Sequence, residues 1–86
     1  MRRTANFLVN VLLFRETCGH DSAWIAHCIE YDIAAYGGTV EEATDSFKRT
    51  FIGEIAIDIE HGLNPLERIP QAPRPIRDMF AKMNLD

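Results

Sequence analysis

The stretch from Trp24 to Ile59, WIAHCIEYDIAAYGGTVEEATDSFKRTFIGEIAIDI, decides the fold of this chain. Its pattern predicts an apolar strand, a short second strand, a Gly-Gly turn and one amphipathic helix. Gly37 and Gly38 are expected to take positive φ and to reverse the chain sharply. Thr39 should be the helix N-cap, because Glu42 follows it at the spacing of a capping box. This junction specifies a fold but contains no catalytic motif.

The helix is predicted to run from Val40 to about Glu60, and His61-Gly62 supplies its C-terminal stop. At about 100° per residue, one apolar stripe should face the sheet. The stripe consists of Val40, Ala43, Phe47, Phe51 and Ile55. Other apolar residues spread around the second half of the helix, namely Ile52, Ala56, Ile57 and Ile59. Gly53 costs up to about 1 kcal/mol there relative to Ala, and close approach of another backbone is one reason for it.

Three strands are predicted before the helix. The first covers Asn6 to Phe14, the second Trp24 to Ile29 and the third Ile33 to Tyr36. The polar residues Arg15 to Ser22 are interpreted as a loop between antiparallel strands. Alternation places Trp24, Ala26 and Cys28 on one face of the second strand and Ile25, His27 and Ile29 on the other.

The chain changes character after Leu63. Four prolines favour an extended path over a long regular element, and they are Pro65, Pro70, Pro73 and Pro75. Ile76 to Met83 can form a short closing helix. The sequence therefore predicts an α+β fold. Residues 1–63 form a three-stranded antiparallel sheet packed by one amphipathic helix, and residues 64–86 form a proline-rich tail that can add a strand.

The chain has 86 residues, enough for one domain, and a formal net charge of −4. The first 63 residues carry five Lys/Arg against ten Asp/Glu, whereas the tail carries four against three. This acidic balance disfavours phosphate backbones and favours a basic partner. Because we find no signal peptide and no apolar run long enough to span a membrane, we expect a cytoplasmic protein with reduced cysteines. A disulfide between Cys18 and Cys28 remains an alternative.

Zinc-ligand residue types occur at Cys18, His20, His27 and Cys28. His27 and Cys28 are adjacent on a strand and point to opposite faces, so both cannot readily bind one ion. Cys28 is interpreted as a small core residue, and His20 should face solvent. No metal ligand, cofactor or catalytic residue is assigned.

Two pairs of acidic residues allow more than one interpretation. Glu30 and Asp32 could form a paired-carboxylate metal site of the nuclease kind, or a solvated bend at the end of a strand. Glu54 and Asp58 lie one helical turn apart. They are expected to form salt bridges with arginines of the returning tail, namely Arg68, Arg74 or Arg77.

The order of strands and helix, with the capped junction, resembles the HicB-like domain of HicB antitoxins. The resemblance spans roughly Phe7 to Ile59 and is carried by three segments: Trp24-Ile25-Ala26-His27-Cys28, Glu30-Tyr31-Asp32-Ile33 and Gly38-Thr39-Val40-Glu41-Glu42-Ala43. The family usually has a Pro-Asp-Leu-Pro-Gly-like turn where this chain has Glu-Tyr-Asp-Ile-Ala. The resemblance implies a truncated ribonuclease-H-like fold without that enzyme's active site.

The resemblance also implies a non-catalytic protein that sequesters a small basic toxin, HicA, which acts on RNA. Many relatives carry a C-terminal DNA-binding segment, and this tail resembles neither of its usual forms, so a stand-alone relative is expected. Two alternatives are a regulatory nucleic-acid binder and a metal-dependent nuclease remnant that uses Glu30 and Asp32. The nucleic-acid binder would use the basic residues of the tail, which are Arg68, Arg74, Arg77 and Lys82.

A homodimer, or a higher even oligomer, is expected because the helix is apolar around most of its second half and the sheet has open edges. The residues assigned to a partner interface are Ile52, Ile57, Ile59, Met79, Phe80 and Met83. The alternative is that the tail folds back and covers the isoleucines of its own helix. Trp24 and Tyr36 are expected to be core or interface aromatic residues.

Overall fold

The computed structural model describes residues 8–83. The elements in chain order are β1 (Val11–Cys18), β2 (Asp21–Cys28), β3 (Ala34–Gly37), α1 (Val40–Glu60) and α2 (Arg74–Met83). The strands form one antiparallel sheet in the order β1-β2-β3. The α+β class and the three-stranded sheet are confirmed. Asn6 and Phe7, the start of the predicted first strand, lie outside the described residues.

The hairpin between β1 and β2 is much tighter than the sequence suggested. Arg15 to Ser22 is not a loop, because both strands continue until Cys18 pairs with Asp21. Gly19 and His20 alone make the turn, and Gly19 has φ +64°, which glycine adopts without steric cost. The prediction was wrong because both faces of this end of the hairpin are exposed, so its residues are polar on both sides.

The junction between β3 and α1 keeps the predicted cap but not the predicted glycine conformation. The Thr39 hydroxyl accepts a hydrogen bond from the Glu42 amide at 3.1 Å. The Glu42 carboxylate returns to the Gly38 amide at 2.8 Å, one residue before the position in a standard capping box. Neither Gly37 nor Gly38 has positive φ. Gly37 is needed because a Cβ there would overlap the Ala43 nitrogen and lie 2.7 Å from the Glu42 carbonyl carbon.

The main core lies between one face of the sheet and α1. Ala26, Cys28 and Ala35 of the sheet are buried together with Ala43 and Phe47 of the helix. Phe51 and Ile55 are partly buried against this cluster, so the predicted inward stripe of α1 is confirmed. Small residues on the sheet let the helix approach closely, since interiors pack without voids. Trp24 is half-buried against the same core.

The predicted C-terminal end of α1 and the predicted short C-terminal helix both agree with the structure. α1 ends with His61 as its C-cap, and Gly62 has φ +71°, a common helix stop. α2 includes the expected short helix over residues 76–83 and has Pro75 in its first turn, where a missing N–H removes no helical hydrogen bond. Among residues 8–83 there is no fourth strand, and none of the helices is long and apolar enough to cross a membrane.

Candidate protein-interaction surfaces

The second half of α1 exposes a continuous apolar surface. Ile52 is 64% exposed, Ile59 is 62% exposed and Leu63, just past the helix, is 46% exposed. With the exposed Ala56, the two isoleucines are separated by four and three positions, so these three residues share one side of the helix. We call Ile52, Ala56 and Ile59 the α1 strip. The tail therefore does not cover the isoleucines of this side.

Asp58 lies elsewhere on α1 and is completely buried. One carboxylate oxygen accepts a hydrogen bond from the Leu66 amide at 2.8 Å. The other accepts from Nε and Nη2 of Arg68, at 3.0 and 2.7 Å. The predicted pairing of an α1 carboxylate with a tail arginine is confirmed for Asp58 and Arg68. A buried carboxylate is tolerated because these donors satisfy it.

The Leu66 and Arg68 contacts also set the protonation of Asp58. The Leu66 amide and then the Arg68 guanidinium lower the pKa of Asp58, although burial opposes them. Asp58 in turn raises the pKa of Arg68. Leu66 has φ 66° and a buried side chain, a conformation that bulky residues rarely adopt. Asp58 therefore fixes the start of the tail against α1 through charge, hydrogen bonding and the burial of Leu66.

The middle of the tail docks against the bend between β2 and β3. The Ala72 amide donates to the Ile29 carbonyl at 3.0 Å, and the Asp32 amide donates to the Pro70 carbonyl at 2.6 Å. Residues up to Ala72 thus dock on their own chain, but they leave Ile52 and Ile59 exposed, so the alternative in which the tail covers the isoleucines of its own helix is wrong for this side of α1. In α2, Phe80 is half-buried, whereas Met79 and Met83 are exposed. Of the residues assigned to a partner interface, five are thus exposed, namely Ile52, Ile57, Ile59, Met79 and Met83.

The basic residues of the tail are mostly engaged within the chain. Besides the Arg68 contact, Arg77 donates to the Ala72 carbonyl at 3.0 Å. Arg74 lies 3.7 Å from Asp78 within α2. Lys82 is exposed in the last turn of α2. The side chains expected to bind nucleic acid are therefore not gathered into one unpaired basic group.

Glu30 and Asp32 lie in the bend after β2 and bind different partners. Glu30 accepts hydrogen bonds from the backbone amide of Asn10 at 2.7 Å and from its side chain at 2.8 Å. Burial tends to raise the pKa of Glu30, but the two Asn10 contacts outweigh it and lower the pKa. Asp32 lies 2.8 Å from Nε2 of His27. Glu30 thus holds the bend to the residue that precedes β1, and Asp32 holds it to β2.

The cysteine and histidine side chains do not converge. Cys18 is exposed at the turn end of the hairpin, and Cys28 is buried at its other end. The two ends are seven residues apart along a strand, and this corresponds to a distance of about 23 Å. Both thiols are free, so the alternative of a disulfide between them is wrong. Burial raises the pKa of the Cys28 thiol, and its place in the core is confirmed. No cluster of three or more metal-ligating residues occurs in the described part of the chain.

A cleft lies on the face of the sheet opposite α1, near the hairpin turn. It has a volume of about 210 Å³ and is lined by Glu16, Cys18, Asp21, Ser22, Ala23 and Tyr36. We call it the hairpin cleft. Tyr36 is 64% exposed there, so it is not a core residue. Within residues 8–83 neither Glu16 nor Asp21 forms an ion pair.

Sequence reasoning missed the hairpin cleft because it assigned Glu16 and Asp21 to a loop. The register explains the cleft: Phe14 pairs with Ile25, which pairs with Tyr36, so all three share a face. Alternation along β1 and β2 then puts Glu16 and Asp21 on that face too. The available signal was the alternation of Phe14, Glu16 and Cys18, which continues the period of the first strand.

Comparisons with protein-family models, with curated proteins and with solved structures give no match to this chain.

Proposed function

We propose that this chain is a non-catalytic binding protein, resembling a HicB-type antitoxin, that sequesters a small basic protein acting on RNA in the cytoplasm. The observation that carries the proposal is the hairpin cleft, where Tyr36 is exposed beside Glu16 and Asp21. The HicB-like assignment of the fold belongs to the same proposal. It is supported by the three sequence segments and by the capped strand-to-helix junction.

The hairpin cleft suits an arginine or lysine side chain of a partner. A guanidinium group stacks favourably on a tyrosine ring, and it forms two parallel hydrogen bonds with a carboxylate. Glu16 and Asp21 can offer such bonds because neither is engaged in an ion pair within residues 8–83. The hairpin cleft is shallow and open to solvent, so a side chain on the surface of a partner can reach it. The cleft therefore matches a cationic side chain on a protein surface.

The charge of the whole chain supports the same class of partner. Its formal net charge of −4 attracts a basic protein over distance and accelerates the encounter. The same charge repels RNA and DNA backbones. Sequestration requires only that the acidic surface cover the RNA-binding groups of the partner. No reaction at this chain's own residues is needed.

The experiment is a binding assay with a small basic protein encoded next to this gene. The two chains are co-expressed and purified, and their affinity is measured by calorimetry together with RNA cleavage by the partner. We expect a complex that suppresses cleavage. The double variant Glu16→Gln/Asp21→Asn should weaken binding at least about tenfold, since loss of one partner of a desolvated charge pair costs about 2–5 kcal/mol. Tyr36→Ala should weaken binding about twofold to thirtyfold, since a cation–π contact contributes about 0.5–2 kcal/mol.

A matched control separates the hairpin cleft from net charge. Glu41→Gln/Asp45→Asn removes the same charge from exposed residues of α1 and should leave the affinity within about threefold at physiological salt. Equal losses of affinity in both double variants would show that net charge determines binding and that the hairpin cleft does not. No binding to any small basic neighbour would refute the antitoxin proposal.

We also infer that the chain forms a homodimer or a higher even oligomer. The supporting observations are the exposed α1 strip and the two edge strands of the sheet, β1 and β3, which pair with no further strand among residues 8–83. Exposed apolar surface of this kind and unpaired strand edges are usually covered in native proteins. Light scattering at tens of micromolar tests the assembly, and a monomer mass would contradict it.

A further inference from the structure

The α1 strip has the residue spacing of a helix-pairing seam. Ile52, Ala56 and Ile59 follow one another at intervals of four and three, which is the spacing of apolar residues in two packed helices. All three are exposed in the single chain. The small Ala56 in the middle allows a facing helix to approach closely. The seam therefore fits another helix.

We propose that the α1 strip pairs with the same strip of a second copy, antiparallel, about a two-fold axis near Ala56. The inference deepens the self-association proposed above by assigning its surface and direction. It does not depend on the hairpin cleft or on a basic partner. A two-fold interface is self-complementary, so every contact made by one copy is repeated by the other.

The charges beside the α1 strip select the antiparallel direction. At about 100° per residue, Arg49 and Glu60 lie about 60° and 80° to the same side of Ile52. In an antiparallel pair the same flank of both helices meets, so Arg49 of one copy lies near Glu60 of the other. Both residues are exposed. Neither forms an ion pair within the described residues.

A parallel pair would place the charges badly. Lys48 lies about 40° to the other side of Ile52, so a parallel partner would bring it close to Arg49. Like charges at facing positions oppose association. In the antiparallel pair, Lys48 instead lies on the opposite flank from Arg49 of the other copy. The arrangement of charges thus favours a second copy of this helix in one direction.

Ile57 provides a matched control. It is an exposed isoleucine of α1, but it lies about 140° around the helix from Ile52, outside the α1 strip. The double variant Ile52→Gln/Ile59→Gln and the single variant Ile57→Gln both replace exposed isoleucines. Circular dichroism and thermal melting confirm that each variant is folded before its assembly is measured.

The experiment is sedimentation equilibrium of the full chain alone from about 1 to 200 µM. We expect the wild type to have twice the chain mass of 9.8 kDa at the upper end. Ile52→Gln/Ile59→Gln should raise the dissociation constant at least about a hundredfold, because buried apolar anchors carry most of the binding energy. Ile57→Gln should change it less than about threefold. A monomeric wild type, or equal effects of both variants, would overturn the proposal.

A charge reversal tests the direction of pairing. Arg49→Glu and Glu60→Arg should each weaken the dimer about threefold to tenfold, and the double variant Arg49→Glu/Glu60→Arg should restore it. Additive weakening in the double variant would refute the antiparallel pair. This assay contains no basic partner. A negative result would therefore refute the helix pairing but not the antitoxin proposal, which the calorimetric measurement tests separately.

Discussion

Replacing Gly37 by alanine should destabilise the domain because the backbone of α1 lies very close to Gly37. A Cβ at this position would overlap the Ala43 nitrogen and lie 2.7 Å from the carbonyl carbon and Cβ of Glu42. The obstacle is mainly the backbone of α1 in its first turn, which no side-chain rotation can move aside. The backbone at Gly37 does not itself require glycine, because its φ is not positive.

The expected loss of stability follows from that geometry. Forcing one extra carbon into a well-packed site costs about 1–3 kcal/mol, and a rigid backbone neighbour places Gly37→Ala near the upper value. A change of 1 kcal/mol shifts the Tm of a domain of this size by about 4–8 °C. Gly37→Ala should therefore lower the Tm by about 10–20 °C. Thermal unfolding followed by circular dichroism at a fixed, low concentration measures it.

Two other glycines provide controls with different neighbours. A Cβ at Gly38 would meet only the end of the long Glu42 side chain, at 3.2 Å, so Gly38→Ala should change stability by less than about 0.5 kcal/mol. A Cβ at Gly53 would have no neighbour within 4 Å among the described residues. Gly53→Ala should raise the Tm by about 4–8 °C, since alanine is about 1 kcal/mol better in a helix. A Gly37→Ala protein with the same Tm as the wild type would refute the close approach of the α1 backbone to Gly37.

Two further variants test the helix cap and the buried carboxylate. Thr39→Ala should lower the free energy of unfolding by about 1 kcal/mol in urea titrations, because it removes the acceptor for the Glu42 amide; Thr39→Ser should keep most of the stability. The lowered pKa of Asp58 means that its contribution to stability is present above the unfolded-state pKa of about 3.9 and is lost as the pH falls through the folded-state pKa. Asp58→Asn should be less stable at pH 7 and lose less stability below about pH 4 than the wild type, and parallel pH curves for the two proteins would contradict this role.

Part of the fold depended on interactions between residues that are close in sequence, and these were predictable. The bounds of α1, its Thr39 cap and its inward stripe agree with the structure. Each reflects contacts within about four residues, where spacing alone determines which groups meet. The place of Cys28 in the core followed likewise from alternation along β2.

The candidate surfaces were only partly predictable. The exposed isoleucines of α1 were recognised because they could not all face one sheet. The hairpin cleft was missed, since its acidic residues come together only when β1 pairs with β2 in the observed register. Register depends on pairing between strands and cannot be read from the polar end of a hairpin alone.

The sequence by itself determined the α+β class, the capped junction and the acidic surface of this protein. Tertiary structure alone decided why Gly37 is required, since its reason is the approach of the α1 backbone. It also decided that Asp58 is buried and satisfied by Leu66 and Arg68, eight and ten residues further along the chain. Local spacing fixes contacts between neighbours in sequence, whereas close approach and burial depend on how separate elements pack in space.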